Sequence, residues 1–434
     1  MESAAAGKDR QGANRTPAQS LPLSAVDPQE GSRITSGIGE LDRVLGGGVM
    51  KRSAVLVGGE PGIGKSTLLL QAAAAARTKG RILYVSGEES AGQVRLRADR
   101  LGIKNNLERI EILCTGNLEE IETNLNATKP SLVIIDSAQT LFSANSTPGS
   151  VNQMKFCAFE LISWVKERDA ALFLTAHVTK EGLIAGPKML EHMVDTVLYF
   201  EQSDNLPGSP ATGGGTVDCR FLRAVKNRFG SVDEIGIFTM SEQGLAPIDD
   251  TGRLFLVRRE GDPPAGVATA AVLEGTRGIL VEIQALTIPA KGSVSRVFSD
   301  KIDSGRVSRI SATLEKHLGL RLSDQDLYVN VAGGIRIAEV GVELALACAL
   351  YSARSGLVLP ANLAIAGELS LTGEVRPVRR LEGRVKTAAN LGFDSFLGPE
   401  HEAKPALGSA LRPCGNIKAA IKSLFGNAAG AATG

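Results

Sequence analysis

The most specific chemistry in the chain lies between Gly59 and Ser66. Gly59-Glu60-Pro61-Gly62-Ile63-Gly64-Lys65-Ser66 fills the pattern G-x-x-x-x-G-K-[ST], whose glycines let backbone N–H groups curl around a polyphosphate. Lys65 is placed to reach the β- and γ-phosphates, and the Ser66 hydroxyl to bind Mg²⁺, with Thr67 next to it at the start of a helix. The surrounding sequence has the required order. The apolar run Ala54 to Val57 reads as a buried strand, and an apolar helix begins at Lys65, whose N-terminal dipole favours an anion. Gly59 to Thr67 is the expected binding segment for a nucleoside triphosphate.

Further groups with chemical potential follow at strand ends. Ser131 to Asp136 reads SLVIID, four apolar residues and then an acid, the form of a Walker B strand whose Asp136 helps hold Mg²⁺. Arg81 to Ser86 reads as another strand, closed by Gly87-Glu88-Glu89-Ser90. These acids either face a ligand at the carboxyl end of the sheet or simply begin a solvated helix. Ala171 to Ala176 is a strand tipped by His177, either a structural histidine or one that senses the γ-phosphate. Arg220, Arg223, Lys226 and Arg228 crowd one stretch, as a solvated edge strand or as a set of phosphate contacts. The Gly- and Pro-containing segments Thr179 to Pro187 and Gln202 to Thr216 read as functional or mobile loops.

The elements that must position these groups alternate between strand and helix, which predicts an α/β architecture. After the phosphate loop a helix is expected from Lys65 to about Lys79, stopped by Gly80. Met154 to Lys166 reads as an amphipathic helix with Trp164 in the core. The pattern breaks at 258–264, where charge, Gly and Pro-Pro interrupt it. Beyond, Val267 to Ala285 and Leu327 to Ala332 predict strands, Val340 to Tyr351 a helix, Leu363 to Ala366 a strand, and Leu381 to Leu391 a helix ended by Gly392. The expected organisation is a disordered leader (1–31), a nucleotide domain (32–257), a linker (258–264), an α+β domain (265–425) and a disordered tail (426–434).

Length and composition bound the partners. At 434 residues, with 43% hydrophobic and 22% charged residues, the chain can bury more than one core. A formal net charge of +1 neither favours nor excludes nucleic acid, so any such contact must come from local clusters. The five cysteines form no C-x-x-C pair and the four histidines show no metal-ligand spacing, so no zinc is expected. No apolar run is long enough to span a bilayer and no secretion signal is seen, which makes a cytoplasmic protein without membrane contact the expectation.

Together the segments TSGIGELDRVLGGG, GGEPGIGKSTLLLQ, YVSGEES, HVTKEGLIAGPKMLEHMVDTVLYFE and LRAVKNRFG resemble the bacterial RadA (Sms) family of DNA repair ATPases. The resemblance runs from about residue 32 to 425. It implies a RecA-like P-loop ATPase core followed by a Lon-protease-like domain of the ribosomal-protein-S5 second-domain type. It further implies ATP and Mg²⁺ as ligands and a homo-oligomer, a hexameric ring moving on single-stranded and branched DNA beside a RecA-type recombinase. By the same resemblance Glu88 orients the attacking water and His177 takes the strand-end switch position. Lys226 and Arg228 then reach the nucleotide of the adjacent subunit. Lys180, Lys188 and Arg223 become DNA-contact candidates.

Two departures qualify the resemblance. The family usually opens with a four-cysteine zinc motif, which this chain does not contain. In the second domain Gly341 stands where Lon-type proteases carry the nucleophilic serine, and Glu382 where they carry the lysine base. An ATP-dependent protease is the first alternative and is opposed by those two residues. A nucleotide-gated signalling scaffold on the same core is the second, and a replicative helicase the third.

Overall fold

The computed structural model describes residues 22, 24, 32–144, 151–177, 188–202, 219–232, 234–248, 254–257, 259, 261–292, 295–299, 301–400 and 411–426. The rest of the expected leader, the loop 179–187 with Lys180, residues 203–216 of the second loop, and the tail beyond 426 lie outside the described residues. A two-residue pairing of β1 (Arg33–Ile34) with β2 (Val49–Met50) flanks α1 (Gly39–Leu45). The first large sheet has nine strands. They are β3 (Ser53–Gly59), β4 (Ile82–Ser86), β5 (Ile110–Leu113), β6 (Leu132–Asp136), β7 (Ala171–His177), β8 (Thr196–Gln202), β9 (Cys219–Asn227), β10 (Ile235–Ser241) and β11 (Gly244–Pro247). Their order is β11-β10-β9-β8-β3-β7-β6-β4-β5. β3 to β8 run parallel, and β9 to β11 are added antiparallel.

β3 is buried along its whole length between two helical layers, as a near-continuous apolar strand of a parallel sheet must be. Val55 and Val57 pack with α1, α2 (Lys65–Ala75) and α3 (Ala91–Arg100). Ala54 and Leu56 face α4 (Leu118–Thr128), α5 (Val151–Lys166) and α6 (Lys188–Met193). Trp164 on α5 is buried, and its indole N–H donates to Asn126 Oδ1 at 2.8 Å. The helix expected to reach Lys79 instead ends at Ala75. Ala76 turns to extended backbone and Arg77 N–H donates to the Thr35 carbonyl at 2.9 Å, which draws the chain off the helix axis. Gly80 therefore stops no helix. A Cβ there would meet Ser131 Oγ at 2.6 Å, so the glycine serves close packing.

The second sheet has seven strands in the order β14-β15-β13-β12-β16-β19-β20. They are β12 (Val267–Glu274), β13 (Arg277–Pro289), β14 (Val297–Ser299), β15 (Gln325–Val331), β16 (Leu363–Ile365), β19 (Ser395–Gly398) and β20 (Leu411–Pro413). A small pair, β17 (Glu368–Leu369) and β18 (Val375–Arg376), stands apart. α7 (Ser304–Leu318), α8 (Glu343–Ser355) and α10 (Ile417–Phe425) cover one face, and α9 (Leu381–Asn390) covers the other. The chain is thus an α/β nucleotide domain followed by an α+β domain.

The two sheets share one apolar core. Cys219, Phe221, Ile235 and Ile237 of the first sheet cluster with β12, β13 and α8 of the second. Phe255, wholly buried, bridges to Val281 and stacks on Phe221 with ring centroids 6.2 Å apart. The tip of the β12–β13 hairpin adds two ion pairs. Glu274 meets Arg223 at 2.9 Å, and Arg277 meets Glu40 of α1 at 3.1 Å. No helix among the described residues is long and apolar enough to cross a membrane.

Candidate functional site

The phosphate-loop residues Gly59, Glu60, Pro61, Gly62, Ile63 and Gly64 join the carboxyl end of β3 to the start of α2. Gly64 sits at φ 112° as the N-cap, a left-handed backbone conformation that favours glycine. α3 and α4 are capped by the side chains of Ser90 and Asn117, whereas among the described residues no side chain caps α2 and its first turn holds no acid. The free N–H groups and positive dipole end are left for an anion. Lys65 is buried, and its ammonium donates to the Gly59 and Glu60 carbonyls at 2.8 and 2.9 Å. Burial brings its pKa down to about 8, although the charges of Asp136 and Glu88 pull the other way. A buried cation short of counter-charge beside an uncapped helix fits a polyphosphate. Ser66 and Thr67 follow, half-buried on the first turn.

Three more strands bring their ends to this loop. Gly59 is in register with His177 across β3 and β7, and Ser86 with Asp136 across β4 and β6. Asp136 is fixed from two sides: the Tyr84 hydroxyl donates to Oδ2 at 2.6 Å, and Thr175 Oγ1 donates to Oδ1 at 2.7 Å. Burial, followed by the adjacent carboxylate, pushes the Tyr84 hydroxyl well above its ordinary pKa, so it stays a donor. Glu88 accepts from Ser137 Oγ at 2.7 Å. His177 lies between Glu88 and Lys65, its Nε2 3.4 Å from Glu88 Oε1 and its Nδ1 3.2 Å from Lys65 Nζ. Both contacts are satisfied together when Nε2 carries the proton. Glu89 instead pairs with Arg97 of α3. Of the two adjacent acids, Glu88 faces the cluster. Gly87 permits the turn, because a Cβ there would collide with Thr140 Oγ1.

Lys65, Glu88, Asp136 and His177 therefore share one site, with Ser66 on the adjoining turn. Tyr84, Thr175 and Ser137 orient these residues and had no signal in the sequence, because their roles depend on strand register. Such a cluster can bind a triphosphate, hold Mg²⁺ between Ser66 and Asp136, and orient a water with a carboxylate.

The four cations on and after β9 do not form one patch. Arg220 is buried and its Nε donates to the Ile63 carbonyl at 3.3 Å, beneath the phosphate loop. Arg223 pairs with Glu201 at 3.3 Å and with Glu274 at 2.9 Å, which makes it a link between the sheets. Lys226 Nζ donates to the carbonyls of Glu191 and Val194 at 2.7 and 2.8 Å, closing the carboxyl end of α6. Burial, then the charge of Arg228, lowers its pKa. Arg228 is more than half exposed and meets Asp195 at 3.5 Å. A bulge at Val225 of β9 itself, facing Val197 and Leu198 of β8, helps send these side chains different ways. Lys188 is exposed at the start of α6.

In the second domain a Cβ on Gly341 would stand 2.9 Å from Glu339 Oε1 and 3.2 Å from Arg384 Nη1. Arg384 is fully buried, paired with Glu339, and donates to the Ala271 carbonyl at 2.6 Å. An ion pair fills the space a nucleophilic side chain would need, and Glu382 is exposed on the first turn of α9.

The chain is similar to known proteins over most of its length. A family profile described as "AAA domain" matches residues 21–182, and one described as "Subunit ChlI of Mg-chelatase" matches residues 301–402. The DNA repair protein RadA of Treponema pallidum is 55% identical over 421 residues, covering 96% of this chain and 89% of its own. The DNA repair protein RadA of Brucella abortus is 48% identical over 373 residues, covering 84% and 77%. Among solved structures, a KaiC-like protein from Pyrococcus horikoshii aligns with a TM-score of 0.40 at 19% identity, over 50% of this chain and 99% of that one.

Proposed function

The chain belongs to the RadA family of DNA repair proteins, and on that premise we propose that it is a DNA-dependent ATPase, a motor of homologous recombination. The observation that carries the proposal is the meeting of Lys65, Asp136, Glu88 and His177 at the mouth of an uncapped phosphate loop. Lys65 and the N–H groups of Gly62 to Ser66 bind the phosphates of ATP. Ser66 and Asp136 would hold Mg²⁺, which when bound neutralises charge on the β- and γ-phosphate oxygens. Glu88, fixed by Ser137, orients the water that attacks in line. His177 touches both the phosphate-binding lysine and the water-orienting carboxylate, which suits it to report the state of the nucleotide.

Arg228 and Lys226 supply charge stabilisation to the nucleotide of an adjacent protomer. This division of labour makes turnover depend on a ring of protomers, hexameric in our reading. The partners are single-stranded and branched DNA and a RecA-type recombinase in the cytoplasm, with branch migration as the outcome. Lys180, Lys188 and Arg223 are the candidate DNA contacts. Residues 32–257 form the RecA-like ATPase domain. Residues 265–425 form a Lon-protease-like scaffold, and the Glu339–Arg384 pair at Gly341 weighs against a proteolytic role.

ATP turnover measured with and without single-stranded DNA, alongside light scattering, tests the proposal. We expect DNA to raise turnover several-fold and the active species to be a closed oligomer. A monomer that hydrolyses ATP at the same rate with and without DNA would overturn it.

A further inference from the structure

Arg228 projects from the end of β9 on a long side chain that is more than half exposed. A guanidinium so placed loses rotamer freedom when it must meet a phosphate on another molecule, and a fixed partner lowers that loss. The partner is Asp195, at the corner between α6 and β8, and only 4% of it is exposed.

All four polar groups of Asp195 are used. Its N–H donates to the Ala54 carbonyl at 3.0 Å, and its carboxylate Oδ2 accepts the Ala54 N–H at 3.1 Å. Its carbonyl accepts the Arg228 N–H at 3.1 Å. Its Oδ1 faces Arg228 Nη1 at 3.5 Å and Lys166 Nζ at 3.7 Å. Ala54 belongs to β3, the strand that delivers the phosphate loop. One buried residue thus grips both the cis loop's strand and the exposed arginine. The same corner offers the carbonyls that hold Lys226.

We propose that Asp195 is a positioning residue for Arg228, aiming that guanidinium at the nucleotide of the neighbouring protomer. The proposal rests on the assignment of Arg228 made above. Asp195 touches no reacting atom. Its contribution is to hold the orientation of a group that completes another molecule's site, so removing its charge harms the neighbour's nucleotide site and spares its own.

That asymmetry gives the test. Asp195→Asn keeps an acceptor for Ala54 and removes the charge facing Arg228. We expect kcat to fall about tenfold with KM for ATP little changed. Mixing Asp195→Asn protomers with excess Lys65→Ala protomers places an intact Asp195 and Arg228 beside each working phosphate loop. Turnover per Asp195→Asn protomer should then recover. A defect in folding, or in the protomer's own β3, would not be rescued in trans, and failure to recover overturns the proposal.

Arg228→Ala, mixed in the same way, separates the two levels. If Arg228→Ala recovers and Asp195→Asn does not, the role of Asp195 alone is refuted. If Arg228→Ala does not recover, the trans assignment fails and the proposal with it. Lys166→Ala, which removes the other cation facing Asp195, should keep wild-type turnover. An equal loss there would place the action of Asp195 on α5 and overturn the proposal. Should Asp195→Asn fail to fold, Asp195→Ser is taken through the same mixing, where recovery supports the proposal and its absence overturns it.

Discussion

His177 Nδ1 stands 3.2 Å from the Lys65 ammonium, while Nε2 of the same ring stands 3.4 Å from Glu88 Oε1. On the proposed function the DNA contacts lie elsewhere, Lys188 at the exposed start of α6 among them. Lys65→Ala should cut kcat by roughly 10²-fold or more, the scale for losing a charge-stabilising donor, and leave single-stranded DNA binding within about twofold. Steady-state hydrolysis and fluorescence anisotropy check the two halves. Turnover at the wild-type rate would remove Lys65 from the site.

The lowered pKa of Lys65 makes nucleotide binding proton-linked. Without nucleotide the amine titrates near pH 8, below its ordinary 10.5, because burial penalises the charge. A polyphosphate favours the charged form, so binding at about pH 8.5 should take up protons, and at about pH 6.5 Lys65 should contribute none. Calorimetry in two buffers of different ionisation enthalpy measures this directly, with Lys65→Met showing no such uptake. The same shift affects stability. In the window from about pH 8 to 10.5 the unfolded chain binds the extra proton, so the penalty for burying Lys65 is full below pH 8 and fades as pH rises. Lys65→Met should accordingly raise the melting temperature of the nucleotide-free protein more at about pH 7 than at about pH 10.

Arg277 and Glu40 are partners across the two sheets, and Glu40 also accepts the Ile237 N–H at 2.9 Å. Arg277→Ala leaves the buried Glu40 carboxylate with only the part-exposed Arg43, 3.5 Å away, as counter-charge, which should cost about 1–3 kcal/mol in urea unfolding. Adding Glu40→Gln should return part of that loss, because the under-compensated charge is gone. Strict additivity of the two would show that the pair is not coupled.

Gly341→Ser supplies the hydroxyl that Lon-type sites carry, yet it should yield no proteolysis. The new side chain must displace Glu339 or Arg384, so the variant should instead lose about 1–3 kcal/mol of stability, the usual cost of overpacking. Casein degradation with ATP and a thermal melt decide the matter.

The phosphate loop was legible in the sequence because its chemistry is local. Glycines, lysine and serine act through adjacent backbone, and no distant partner is needed. Asp136 and His177 were legible as strand tips, since an apolar run marks its own carboxyl end. Tyr84 and Thr175 were not, because their meeting with Asp136 depends on which strands lie side by side, and β7 enters between β3 and β6. The run of Arg220, Arg223, Lys226 and Arg228 looked like one basic feature. Strand alternation and a bulge within the run, at Val225, sent each cation to a different acceptor, and no count of charges along the chain contains that information.

Phe255 and Phe221 stack where the two sheets meet, and the Glu274–Arg277 turn clasps the nucleotide domain from the side. Packing and ion pairs of this kind resist bending at the waist. On the proposed function, a displacement begun at the bound triphosphate would be carried to the far domain, as a crank carries rotation, and the compliance for movement along a strand would reside in the seams between one subunit and the next.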